Sequence, residues 1–209
     1  MTFNNSVGLR RLISSTLGAS ILCKLAALAM AILLARELGA EAFGIFTFAQ
    51  GAGLVAGRMA TLGWGTLSAR EIPAIQQRLK PQLLKGFVQT GNRVVLLACL
   101  AAGSLLGLAA CIGKLLEGDE LTVRALFLAA ILTPTFAGRQ FYRQRLAALK
   151  LPTLAILLDE LLPPLAVVAA VYAPDPTAST ASLAYAGAGV ASVLMAAAVF
   201  KRQMGASVA

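Results

Sequence analysis

The amino-acid sequence predicts an all-α, polytopic membrane protein with six transmembrane helices and both termini on the cytoplasmic side. Three observations carry this. The 209 residues are 58% hydrophobic and only 13% charged, with a mean hydropathy of +0.80, whereas ordinary soluble domains are about 45–50% apolar and about 25% charged. Six apolar runs reach the length that crosses a bilayer, about 17–25 residues. The basic residues alternate in density from one connection to the next.

The runs are residues 12–34, 42–66, 94–112, 121–137, 151–172 and 182–200, in one membrane domain covering 1–209. The first follows a tail with Arg10 and Arg11 and carries Lys24 near its middle. Its "ALAMA" resembles a signal-peptide cleavage site, but Lys24 interrupts the apolar core such a signal needs. The second holds Arg58 and the pair Gly53–Gly57, and the third holds Gly103–Gly107. Both are small-xxx-small spacings that let helices approach closely. Between them, 67–93 places Ile72, Ile75, Leu79, Leu83 and Phe87 at three- and four-residue steps with Arg78, Lys80 and Lys85 interspersed. That pattern predicts an amphipathic piece on the membrane surface. The fourth run is short, with Pro134 near its end. The fifth contains Asp159, Glu160 and the pair Pro163–Pro164, where lost backbone donors favour a bend. Trp64, Tyr142 and Tyr172 fall at run ends, where interfacial aromatics belong.

Orientation follows from the cations. The tails and the second and fourth connections hold thirteen Lys and Arg, including Arg139, Arg143 and Arg145; the other three connections hold three. The positive-inside rule therefore predicts cytoplasmic termini.

Lys24, Arg58, Asp159 and Glu160 remain inside the runs. A charge at the centre of a lipid-facing helix costs about 2.5–3.5 kcal/mol, so these four are expected to face the bundle interior. Lys24 shares a small, polar stripe with Thr16, Ser20, Ala27 and Ala31. Arg58 shares one with Thr47, Gly51, Leu54, Thr61 and Gly65, and Asp159 one with Ala155, Pro163, Ala166 and Ala170. Counted from the cytoplasmic ends, Arg58 and Asp159 sit level and are expected to pair. Glu160 is assigned to an ion pair, to coupling, or to the cavity. Lys24, with no carboxylate at its depth, is expected to meet an anionic substrate.

Enzymatic chemistry finds no foothold. There is no histidine, and Cys23, Cys99 and Cys111 have no metal or disulfide spacing. No HExxH, GxSxG, GxxxxGK[ST] or CxxC motif occurs. "GAGLVAG" (51–57) approximates a dinucleotide fingerprint but lies within a span, and "EGDE" (117–120) reads as a solvated loop. No catalytic residue, metal, cofactor or nucleic-acid partner is expected.

Residues 34–50, "LARELGAEAFGIFTFAQ", and 62–73, "LGWGTLSAREIP", resemble the N-terminal signature of polysaccharide (O-antigen) repeat-unit flippases of the multidrug/oligosaccharidyl-lipid/polysaccharide exporter superfamily. Its first loop has the form L-A-R-x-L-G-x-x-x-F/Y-G, and Gly63, Gly65 and Arg70 match the turn after the second helix. Residues 138–155, "GRQFYRQRLAALKLPTLA", are similar to the family's basic link between helices four and five. The resemblance implies an inner-membrane carrier that moves undecaprenyl-diphosphate-linked oligosaccharide for surface polysaccharide or lipopolysaccharide synthesis through a cationic cavity. Lys24 and Arg58 fit substrate binding by position and charge. The family has two six-helix lobes, so this chain resembles the N-terminal lobe alone. A homodimer, or a second lobe from another chain, is expected. The alternatives are a drug or cation exporter of the same superfamily, with Asp159 and Glu160 as its site, and a truncated, non-transporting lobe.

Overall fold

The computed structural model describes residues 4–77, 81–172 and 177–206, with side chains described over 14–77, 82–172 and 177–204. It is helical, and no strand occurs among the described residues. The elements are α1 (Asn4–Ala60), α2 (Trp64–Gln77), α3 (Pro81–Leu115), α4 (Glu120–Ala148), α5 (Pro152–Ile156), a π-helical turn (Leu157–Leu161), α6 (Leu162–Val171) and α7 (Ala178–Ala206).

α1 is not one rod. Gly39 breaks it at φ 79°, ψ 173°, a backbone region open essentially only to glycine. Met30 and Leu34 before the break share a core cluster with Phe46 and Ala49 after it, so the chain folds back there. Leu38-Gly39, the L-G of the motif read above, is that turn. Among the described residues five helices are long and apolar enough to cross a membrane, and the first of them comprises both arms of α1. Large apolar side chains such as Leu17, Ile21, Leu25, Leu28 and Ile32 on α1 and Leu96, Leu97 and Leu100 on α3 are more than half exposed. Lipid is the solvent that makes such a surface favourable.

α4 is the hub, packing on α1, α2, α3, α7 and the α5–π segment. Glycine permits the closest of these contacts. A methyl group built on Gly57 would lie 2.8 Å from Phe136 Cβ and 3.0 Å from the backbone of Ala137 and Thr133. Gly53 is nearly as tight against Leu132 and Ala129. Toward the Gly39 turn the core joins Met30, Leu34, Phe46, Ala129, Leu132, Phe136, Val167 and Tyr185. At the opposite end Ile72, Ile75, Leu84, Leu146, Ala155, Ala196 and Phe200 form a second cluster. Asp119 caps α4 by accepting from the amide and hydroxyl of Thr122. These bonds hold its carboxyl below the usual range.

Two boundaries differ from the sequence reading. Residues 67–93 are not one surface piece. α2 buries Ile72 and Ile75, while α3 begins at Pro81 and runs unbroken to Leu115. Arg78, Leu79 and Lys80 lie outside the described residues, as do residues 173–176 of the fifth connection and the side chains of Arg10 and Arg11. The fourth run does not stop at Ala137 but continues to Ala148 through Pro134. Membrane helices tolerate such a proline within a packed bundle. Beside it Thr133 Oγ1 donates to the Ala129 carbonyl and Thr135 Oγ1 to that of Leu132.

Candidate functional site

The extension of α4 changes the electrostatics of the interior. Arg139, Arg143 and Arg145, read from the sequence as loop cations, are helical, and Arg139 and Arg145 are buried. Arg139 and Arg143 are one turn apart and so share a face. Their signal was present in the sequence: Phe136, Arg139, Gln140 and Arg143 continue an i, i+3, i+4, i+7 stripe past Pro134.

The carboxylates come from the π turn. Pro163 and Pro164 follow it after Leu162, and their rings crowd the carbonyls four residues back, those of Asp159 and Glu160. The helix widens there to a single π turn, a known way to absorb such a conflict. Ser192 Oγ donates to the Leu158 carbonyl within this turn. Asp159 and Glu160, though consecutive, then both reach Arg143.

The result is a chain of ion pairs. Arg139 Nε donates to Asp159 Oδ1 at 2.9 Å, and Arg143 Nη1 to Asp159 Oδ2 at 3.0 Å and Glu160 Oε1 at 2.7 Å. Lys24 Nζ donates to Glu160 Oε2 at 2.9 Å. The two ends of the chain differ in burial: the side chains of Arg139 and Asp159 are 7% and 10% exposed, those of Arg143 and Glu160 36% and 19%, and that of Lys24 73%. The Arg139 guanidinium also stands 5.2 Å from the ring centres of both Phe136 and Tyr185.

These groups border one cavity of about 240 Å³, walled by both arms of α1, by α4, by the π turn and α6, and by Tyr185 of α7. Lys24, Arg58, Arg139 and Arg143 face it with Asp159 and Glu160, so four cations meet two carboxylates and the lining carries a net charge of +2. One of its polar groups is unmatched: Gln50 Nε2 is buried without a hydrogen-bond partner among the described residues. A cavity with surplus positive charge and a spare donor is suited to an oxygen-rich anion.

Two expectations about pairing are corrected. Lys24 does have a carboxylate at its depth, Glu160. Arg58 does not pair with Asp159, which Arg139 and Arg143 hold instead; Arg58 is exposed at the cavity and in no ion pair among the described residues. The stripe predicted for Arg58 is open only in part: Thr47, Gly51 and Arg58 are exposed, Leu54 is half-buried and Thr61 and Gly65 are buried, while Phe46, Ala49, Gly53 and Gly57 turn inward.

Arg145 stands apart from the cavity. It is fully buried, 3.9 Å from the Phe141 ring centre, and donates to Asn92 Oδ1 at 2.6 Å and to the Val88 carbonyl. It ties α4 to α3. The cysteines are free, Cys23 and Cys99 buried and Cys111 exposed. No group of three potential metal ligands occurs among the described residues.

A family model described as "Polysaccharide biosynthesis protein" matches residues 9–208. The chain belongs to that family. This family member, with five helices able to span a membrane, is a multi-pass membrane protein of polysaccharide biosynthesis. Searches of curated proteins and of solved structures each returned no match.

Proposed function

We propose that this family member translocates an undecaprenyl-diphosphate-linked oligosaccharide from the inner to the outer leaflet of the inner membrane by alternating access, supplying surface polysaccharide such as O-antigen. The observation that carries the reading is the lining of the cavity, where four cations face two carboxylates and Arg58 holds no ion pair among the described residues. A diphosphate supplies the missing negative charge and an acceptor for the spare Gln50 donor, and opposite charges attract strongly where water is sparse. Lys24 and Arg58, on the two arms of α1, bind the diphosphate, and the aqueous cavity replaces the hydration the headgroup loses in lipid. Export of drugs or cations fits less well, because Asp159 and Glu160 are already neutralised by Arg139, Arg143 and Lys24.

At about 240 Å³ the cavity is smaller than most ligand sites and holds a diphosphate with little glycan. The exposed polar stripe of Thr47, Gly51 and Arg58 supports a second lobe closing over it, either a second copy in parallel or another chain. The termini lie in the cytoplasm in this reading, and transport proceeds without covalent catalysis.

The test is genetic. The chain is expressed in a strain lacking its own flippase, and surface polysaccharide is measured. Restoration by the wild type and loss with the Lys24→Ala, Arg58→Ala double variant at equal membrane abundance is expected. Restoration by the double variant refutes the cationic cavity as the site.

A further inference from the structure

We infer that Glu160 is a displaceable internal anion, occupying on Lys24 and Arg143 the place a ligand's oxygens take and so setting the minimum charge a ligand must bring. The inference rests on the anion-site reading above and adds to it a residue that determines specificity.

The two carboxylates of the cavity are held differently. Asp159 lies at the buried end between two arginines, its side chain 10% exposed. Glu160 is nearer the opening and bridges Arg143 to Lys24, whose side chain is 73% exposed. A ligand entering from the open side meets the Lys24–Glu160 pair before the Arg139–Asp159 pair. Lys24 has three N–H donors and spends one on Glu160, so it can pass from one acceptor to another with little movement.

Exchange then depends on charge. A monoanion replacing Glu160 brings one negative charge where one already stood. The tethered carboxylate competes at the high effective concentration of an intramolecular group, so the monoanion gains nothing. A diphosphate spans Lys24 and Arg143 together and adds Arg58, which is in no ion pair among the described residues and lines the same cavity. Its charges meet Lys24, Arg143 and Arg58 together, while Asp159 keeps Arg139 in place. Glu160 thereby keeps singly charged solutes out of the cationic site and yields to a doubly charged headgroup.

The test uses the full chain in mild detergent, titrated calorimetrically with inorganic pyrophosphate and, separately, with acetate. The wild type is expected to bind pyrophosphate and not acetate. Glu160→Gln, which keeps the shape and removes the charge, is expected to bind pyrophosphate about tenfold more tightly, the scale of one charge-assisted hydrogen bond no longer competing, and to bind acetate measurably. Wild-type or weaker pyrophosphate affinity in Glu160→Gln overturns the inference. If wild-type binding is nonetheless lost in Lys24→Ala, the anion site itself stands. If neither the wild type nor Glu160→Gln binds pyrophosphate, both readings fall. Should Glu160→Gln not run as a single species on size exclusion, Glu160→Asp serves. One methylene shorter, it cannot bridge Lys24 and Arg143, and it is expected to bind severalfold more tightly than wild type; an unchanged affinity overturns the inference.

Discussion

Replacing Gly57 with alanine tests the packing that holds the cavity walls together. The new methyl would lie 2.8 Å from Phe136 Cβ, 3.0 Å from the Ala137 nitrogen and 3.0 Å from the Thr133 oxygen. Ordinary van der Waals contact begins near 3.4 Å, so the second arm of α1 must move off α4 by several tenths of an ångström. The opposing atoms are backbone or Cβ, so no flexible side chain can swing aside. Overpacking of this kind costs about 1–3 kcal/mol, and for a chain of this size each kcal/mol lowers Tm by about 2–4 °C, giving a fall of about 2–12 °C. Gly51 is the internal control. It sits in the same helical arm, exposed, with nothing within 4 Å of a built Cβ, so Gly51→Ala should be neutral or stabilising by up to about 1 kcal/mol through helix propensity. The assay is thermal unfolding in detergent followed by the fluorescence of Trp64, the single tryptophan. If Gly57→Ala melts no lower than Gly51→Ala, the α1–α4 contact is not tight and the account of the Gly53–Gly57 pair fails.

Four further outcomes follow from the same geometry. Asp159→Asn leaves the nearly buried Arg139 without its carboxylate and should destabilise by about 3–5 kcal/mol, read as a loss of monodisperse protein or a large drop in Tm. Lys24→Ala removes a pair whose lysine is largely exposed, worth about 0.2–1 kcal/mol, so abundance should hold while export is abolished or sharply reduced. Lys24→Arg should keep part of it, and wild-type transport by Lys24→Ala would count the lysine as a bystander. Gly39→Ala forces a methyl into a conformation that costs about 1–3 kcal/mol and should lower Tm without altering cavity charge, which pyrophosphate affinity would report. Reporter fusions after residues 118 and 177 should read as external; a cytoplasmic signal at either breaks the six-span topology.

The apolar runs were legible because lipid imposes length and composition on a spanning helix, whatever it packs against. The L-G turn was legible as a motif, and Gly39 supplies its reason. Arg139 and Arg143 were not, because Pro134 looked like a helix end. The helix continues through it, held by the packing around α4. The Lys24–Glu160 pair escaped although the depths allowed it: counted from residues 12 and 151, Lys24 is twelve residues in and Glu160 nine, about 18 and 14 Å at 1.5 Å per residue, an offset that two long side chains span. Arg58 was placed on the correct stripe but given the wrong partner, because its competitors for Asp159 had been assigned to a loop.

The π turn has a consequence for phase. Ala155, Asp159, Pro163, Val167 and Val171 are all buried, at intervals of four residues. In a continuous α-helix of 3.6 residues per turn, each such interval rotates about 40°, so the series would wander about 160° around the axis and carry its last members toward lipid. The wider turn at Leu157–Leu161 winds part of that rotation back. The carboxylates at mid-helix and the apolar anchors near the Gly39 end can then belong to one inward face. Deleting one residue from this turn would leave every side chain intact yet rotate one half of the helix against the other by about 100°. The ion-pair chain and the core around Phe46 and Tyr185 could not then both form.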